Sequence, residues 1–274
     1  METTKIGFIG AGNMANSLIR GLLTKGANSN SIWAADIDAV KLQQLTDACG
    51  VQAASNEEIA RNADVVVLAV KPQVMKTVCV NLAAALPSPQ PLIISIAAGI
   101  TLQHLQNWLG AQTPIVRCMP NTPALVGKGA TGLFANACVN DLQKKTAANI
   151  LSSVGLSVWM QQEADIDAVT ALSGSGPAYF FLFMEAMQAA AVELGLSAEL
   201  ARELTYQTAL GAAELARQSA EPTAQLRRNV TSPGGTTERA IHQFVEGGLE
   251  QLVSKALHAA HKRSIELASE FGKE

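Results

Sequence analysis

Hydrophobic positions in the first part of the chain come in short runs rich in Val, Ile and Ala, separated by longer stretches with a different rhythm. The runs at residues 5–10, 31–36, 65–70, 92–97, 114–119, 130–135 and 156–160 read as strands. Between them, residues 13–24, 39–48, 73–84 and 102–109 repeat apolar side chains at helical spacing. The strand runs are apolar throughout rather than alternating, the pattern of a parallel sheet covered on both faces. Beyond about residue 162 the strand signals stop, and residues 166–172, 178–194, 198–217, 224–230, 237–244 and 249–271 all read as helices. The breaks between them are Ser-Gly-Ser-Gly-Pro at 173–177, Gly195, Pro222, Ser-Pro-Gly-Gly at 232–235 and Gly-Gly at 247–248. The expected fold class is therefore α/β followed by all-α, with one domain over residues 1–162 and a helical domain over residues 163–274. Phe180-Phe181-Leu182-Phe183-Met184 is apolar on every face of its predicted helix. Such a helix must be buried on most sides, and a helical homodimer interface achieves that.

Composition narrows the function classes. Charged residues make up only 16% against 48% hydrophobic, which suits a chain that hides surface between subunits. The net charge is −3 and Lys and Arg form no dense run, so nucleic acid is not an expected partner. No apolar run approaches the ~20 residues that span a bilayer, so no membrane partner is expected either. Met-Glu-Thr-Thr-Lys leads directly into an apolar strand and carries no signal or transit pattern. Cys49, Cys79, Cys118 and Cys138 form no C-x-x-C pair, which argues against disulfides and zinc and for a reducing, cytoplasmic location. His258 and His261 share a helix face but lack a third ligand, so no metal site is expected.

The first strand runs into Gly-Ala-Gly-Asn-Met-Ala, a G-x-G-x-x-A turn that opens a helix. Gly10 serves the tight turn, Gly12 leaves room for a pyrophosphate, and Ala15 lets helix and strand pack closely, with Asn13 and Met14 at the helix start. This makes the first domain Rossmann-like and the cofactor a nicotinamide dinucleotide. Asp36 ends the second strand, where a carboxylate accepts ribose hydroxyls and repels a 2′-phosphate. The other reading of Asp36 is a cap for the following helix. Ala69, Val70, Lys71 and Pro72 end another strand on the cofactor side, with Lys71 either a phosphate contact or a surface lysine. Ala97, Ala98 and Gly99 are small enough for a flat nicotinamide to approach. Arg117, Asn121 and Thr122 are expected in a loop on the same side, with Asn121 orienting nicotinamide or substrate, or else serving as turn punctuation. Ser175 lies in the Ser-Gly-Ser-Gly-Pro turn, expected to line the same pocket. Gly234 and Gly235 precede a predicted helix and expose N–H groups in a concavity suited to an anion. Ser232, Thr236 and Thr237 add hydroxyls, although Thr236 also reads as a plain helix cap.

Together these motifs resemble the pyrroline-5-carboxylate reductase family along nearly the whole chain. The resemblance rests on residues 10–15, Ala-Val-Lys-Pro at 69–72 and Ser-Ile-Ala-Ala-Gly at 95–99. It rests further on Arg-Cys-Met-Pro-Asn-Thr-Pro at 117–123, residues 167–179 and Ser-Pro-Gly-Gly-Thr-Thr at 232–237. It implies reduction of 1-pyrroline-5-carboxylate to proline by NADPH or NADH, with dimers through interleaved helices and often a decamer. It also implies Ser232, Gly235 and Thr236 as contacts to the substrate carboxylate, Thr237 near the ring nitrogen, and Asn56 on the adenosine ribose. Asp36 stands where the family often has a small or polar residue, so the expectation leans to NADH or dual use. Two rivals remain at this stage: another Rossmann oxidoreductase of the 3-hydroxyacid dehydrogenase type, and a non-catalytic NAD(P)-binding scaffold.

Replacing Gly12 with Val is expected to fill the pyrophosphate path. Calorimetry should then register no NAD(P)H binding, while circular dichroism still reports a folded protein. Wild-type affinity in the folded variant would remove the assignment.

Overall fold

The computed structural model describes residues 4–272. In chain order its strands are β1 (Ile6–Ile9), β2 (Ile32–Ala35), β3 (Gln52–Ala53), β4 (Val65–Leu68), β5 (Leu92–Ser95), β6 (Ile115–Met119), β7 (Gly129–Ala135) and β8 (Gly155–Trp159). The helices are α1 (Asn13–Thr24), α2 (Ala39–Cys49), α3 (Asn56–Asn62), α4 (Pro72–Ala83), α5 (Leu102–Leu109), α6 (Asp141–Leu151) and α7 (Asp165–Val169). They continue with α8 (Gly176–Glu193), α9 (Ala198–Gln218), α10 (Thr223–Asn229), α11 (Thr236–Glu246) and α12 (Leu249–Phe271).

The chain separates into two compact units, and the division differs from the change of rhythm at residue 162. Residues up to Pro177 belong to the first unit together with those from Ala260 onward, and Ala178–Ala259 forms the second. The first unit holds one sheet in the order β3-β2-β1-β4-β5-β6-β7-β8. Strands β1 to β6 pair in parallel, as the continuous apolar runs imply. Strand β7 departs from the all-parallel expectation: it lies antiparallel to β6, and β8 then runs parallel to β7. A short 3-10 turn at Thr122–Val126 joins β6 to β7, long enough only for an antiparallel return. Helix α6 supplies the longer crossover that a parallel β7–β8 pair needs.

Burial follows the two-residue period of the strands. Ile6, Phe8, Val65, Val67, Leu92 and Ile94 pack on one face of the sheet with Leu18, Ile19 and Leu22 of α1. Ile9, Val66, Leu68 and Ile93 pack on the other with Ile59, Met75 and Leu105 from α3, α4 and α5. Three elements were not expected from the pattern: β3, α3 and α6. Strand β3 is two exposed residues, too short to leave a hydrophobic signature. The two helices do carry start signals, since Ser55 with Glu58 and Asn140 with Gln143 form reciprocal capping boxes.

Arg117 lies within β6, where the strand run at 114–119 puts it, and is buried rather than in the loop beyond. Its Nη1 donates to Glu163 Oε1 at 2.8 Å, and its Nη2 stands 3.8 Å from Asp167 Oδ1. The Ser264 hydroxyl donates to the same Asp167 oxygen at 2.6 Å, and the Leu102 N–H donates to Glu163 Oε1 at 2.8 Å. One buried cation thus ties together β6, the start of α5, α7 and the last helix. Arg117→Leu is expected to strand the two carboxylates and destabilise the first unit by about 3–5 kcal/mol. A denaturant midpoint unchanged from wild type would contradict this.

In the second unit α8 to α11 and the first part of α12 are helical throughout. Phe183 and Phe244 meet with ring centroids 5.8 Å apart. The apolar stretch of α8 is nevertheless open in the single chain, with Phe180 68%, Phe181 58% and Leu182 67% exposed.

Candidate functional site

The residues expected to hold a dinucleotide line the carboxyl-terminal ends of strands that are neighbours in the sheet. Strand β1 delivers the chain into Gly10, where φ is +102°. A Cβ at Gly10 would stand 2.6 Å from the carbonyl oxygen of Ala69, so both the turn and the contact require glycine. A Cβ at Gly12, by contrast, would meet nothing within 4 Å, which leaves open space over the turn. Gly12 is the N-cap of α1 and no side chain caps it. The helix therefore presents its first N–H groups, at Asn13 and Met14, without a capping acceptor, an arrangement suited to phosphate. Ala15 is fully buried against the sheet.

Asp36 has both oxygens engaged by backbone. Its Oδ2 accepts from the Ala11 N–H at 2.7 Å and its Oδ1 from the Asp38 N–H at 2.8 Å. The cap of α2 is Asp38, which accepts from Val40 and Lys41, so the capping reading of Asp36 does not hold. Hydrogen bonding from the Lys41 backbone and side chain holds the Asp38 carboxyl below the usual range. Asn56 opens α3 directly after the Ser55 cap. Ala69 and Val70 are half-buried, Lys71 is the exposed N-cap of α4, and Pro72 occupies that helix's first turn. Ala97 is buried and Ala98 half-buried. A Cβ on Gly99 would stand 3.0 Å from the Phe271 ring, at the end of α12. The next helix, α5, starts at a box formed by Thr101 and His104. His104 stacks on Trp108, and burial pushes its pKa below the ordinary imidazole value, the charge of Glu163 opposing and that of Arg117 reinforcing the shift.

Asn121 was expected to orient nicotinamide or substrate, or else to punctuate a turn, and its carboxamide bonds to backbone on two sides. Nδ2 donates to the Ser173 carbonyl at 2.9 Å, and Oδ1 accepts from the Ala130 N–H at 2.8 Å. It braces the Ser-Gly-Ser-Gly-Pro turn. Residues Thr170–Gly174 form a π-helical turn there, and the Ser175 N–H donates to the Thr170 carbonyl at 2.8 Å. Thr122 is exposed and begins the 3-10 turn.

The loop at residues 232–237 belongs to the second unit and is described by itself. Gly234 has φ +72°, and Gly235, not Thr236, is the N-cap of α11, without a side-chain cap. The Gly235 N–H, expected to contact a substrate carboxylate, donates to the Ser232 carbonyl at 3.0 Å. The Gly234 N–H donates to Glu238 Oε2 at 2.7 Å, a partner that the sequence reading did not identify. Its signal was present: an acidic residue at the third helical position, reaching back as in a capping box. Ser232, Thr236 and Thr237 keep their side chains exposed.

Two family models match the chain. Residues 163–267 match the one described as pyrroline-5-carboxylate reductase dimerisation, and residues 5–99 the one described as NADP oxidoreductase, coenzyme F420-dependent. A pyrroline-5-carboxylate reductase of Pseudomonas aeruginosa is 55% identical across 99% of this chain and 100% of its own. A solved pyrroline-5-carboxylate reductase from Coxiella burnetii superposes with a TM-score of 0.93 at 49% identity, covering 97% of this chain and 99% of that one. A pyrroline carboxylate reductase of Plasmodium falciparum, solved with NADP bound, gives 0.87 at 34% identity, covering 98% and 99%.

The two roles open to Asp36 separate in the Asp36→Asn variant, which keeps one carbonyl acceptor for the turn and removes the charge. The ratio of kcat/KM with NADPH to that with NADH is expected to rise by roughly fivefold or more. A ratio equal to wild type would leave Asp36 as a brace for the glycine turn alone.

Proposed function

The chain belongs to the pyrroline-5-carboxylate reductase family, and on that premise we propose that it reduces 1-pyrroline-5-carboxylate to L-proline with NAD(P)H, the last step of proline synthesis. The observation that carries this reading is 55% identity to a named reductase over the full length of both chains. The dinucleotide site fits its cofactor, since the space above Gly12 is open and the start of α1 is uncapped. The cofactor supplies a hydride to the imine carbon. Protonated, that imine is already electrophilic, so the chemistry asks the protein for alignment rather than for a nucleophile or a metal.

In this reading Gly12, Asn13 and Met14 receive the pyrophosphate, Gly10 makes the turn and Ala15 the close packing that bring them there, and Asp36 and Asn56 lie toward the adenosine. Ala69–Pro72 and Ala97–Gly99 line the cofactor's path. The loop at 232–237 receives the substrate carboxylate, and Thr237 hydrogen-bonds near the ring nitrogen as the group that orients the imine. What supports the loop assignment is its backbone: a left-handed Gly234 leads into α11, whose N-cap Gly235 has no side-chain cap. Ser175 lines the substrate pocket, and Asn121 holds the turn that carries it. The negative charge of Asp36 supports use of NADH alongside NADPH.

The helical part is a dimerisation domain by family, and α8 bears the apolar surface that a second copy would cover. A decamer of such dimers rests on the family resemblance. No helix among the described residues is long and apolar enough to cross a membrane. The cytoplasmic location in this reading rests on the unpaired spacing of the cysteines.

Loss of one hydroxyl bond to the carboxylate should cost about 1.5–3 kcal/mol. Ser232→Ala is thus expected to lower kcat/KM for the imino acid about tenfold to a hundredfold, mainly through KM, with cofactor affinity unmoved. Thr237→Ala should fall more on kcat. The control is 1-pyrroline, which lacks the carboxylate. If the wild-type enzyme reduced it as efficiently as the carboxylated imine, the loop assignment would be wrong.

A further inference from the structure

Glu238 occupies a position in the substrate loop that the chemistry of reduction does not require. It is the third residue of α11, and its Oε2 accepts the Gly234 N–H at 2.7 Å. The neighbouring Gly235 N–H is already committed to the Ser232 carbonyl at 3.0 Å. The loop therefore holds a carboxylate of its own, at the positive end of a helix, on one of the two glycine N–H groups of its turn. Each helix N-terminus favours negative charge, but a second carboxylate brought to the same end is opposed by the first.

We propose that Glu238 is a resident carboxylate in the loop, which the substrate's carboxylate must displace from Gly234, and that it thereby sets the affinity for the anionic imine. The proposal rests on the reading of residues 232–237 as the carboxylate site. Glu238 is exposed, so on release its charge passes into water at little desolvation cost. The contact braces the left-handed Gly234 turn, with φ +72°. When substrate binds, the Gly234 N–H changes one carboxylate for another. Glu238 is thus a residue that tunes affinity for the carboxylate and takes no part in hydride transfer.

The experiment compares wild type, Glu238→Gln and Ser232→Ala with 1-pyrroline-5-carboxylate and with 1-pyrroline. Glutamine keeps an oxygen acceptor for the Gly234 N–H and removes the charge. Glu238→Gln is expected to lower KM for the carboxylated imine about twofold to fivefold, the size of a helix-end charge effect. It should leave kcat, the cofactor KM and the KM for 1-pyrroline unchanged. An unchanged or raised KM for the carboxylated imine, with Ser232→Ala still raising it, would reduce Glu238 to a helix cap and overturn the proposal. If Ser232→Ala moved nothing and wild type used both imines alike, the carboxylate reading of the loop would fail first, and the role of Glu238 with it.

Discussion

A guanidinium buried in a β-strand has to find negative charge elsewhere in the chain, because an unmatched charge in the interior is not tolerated. Arg117 finds it in Glu163 and Asp167, and Asp167 in turn is held by Ser264, 97 residues further on. This cluster accounts for the way the last helix is divided. Its final part counts with the first unit although the helix starts in the second. There Phe271 closes over Gly99, and Glu163 fixes the first N–H of α5. The small-residue strand end at Ala97–Gly99 is held from two sides as a result.

The same local device occurs once in each unit. At Gly10–Ala15 and at Ser232–Thr237, a glycine in the left-handed region turns the chain so that a helix begins without a side-chain cap. Such uncapped helix starts are suited to anions through backbone N–H groups, in a protein whose net charge is −3. The two turns differ in where a carboxylate meets them. In the first, Asp36 sits behind the turn and holds the Ala11 N–H from the strand side. In the second, Glu238 takes a glycine N–H of the turn itself.

The second unit has the opposite economy of surface. Its helices leave large apolar side chains open in the single chain, whereas the central strands β1, β4 and β5 of the first unit are buried on both faces. A helix like α8 gains its stability from a neighbour rather than from its own solvated face. Folding of this part and association of two copies are then aspects of one hydrophobic burial, which fits the dimerisation family that it matches.

Much of this was determined by sequence alone. Periodicity marked α1, α5 and α12 to the residue and found most strands within one or two positions, because apolar spacing is a local property of the chain. The glycine turn and the Ser-Pro-Gly-Gly loop were legible for a similar reason: each needs particular residue types in a fixed local order. What only the tertiary structure decided were partners distant in sequence or unmarked by spacing. Strand β7 turned antiparallel because its connection is short. Arg117 proved to be a core cation, since the acids that permit its burial lie on other elements. Asn121 and Asp36 have their acceptors turned to backbone at Ala130 and Ala11, contacts that residue identity does not announce. A sequence records which groups can donate, accept or carry charge. Which of them meet depends on packing between elements, because hydrogen bonds and ion pairs act over a few ångströms in space and take no account of separation along the chain.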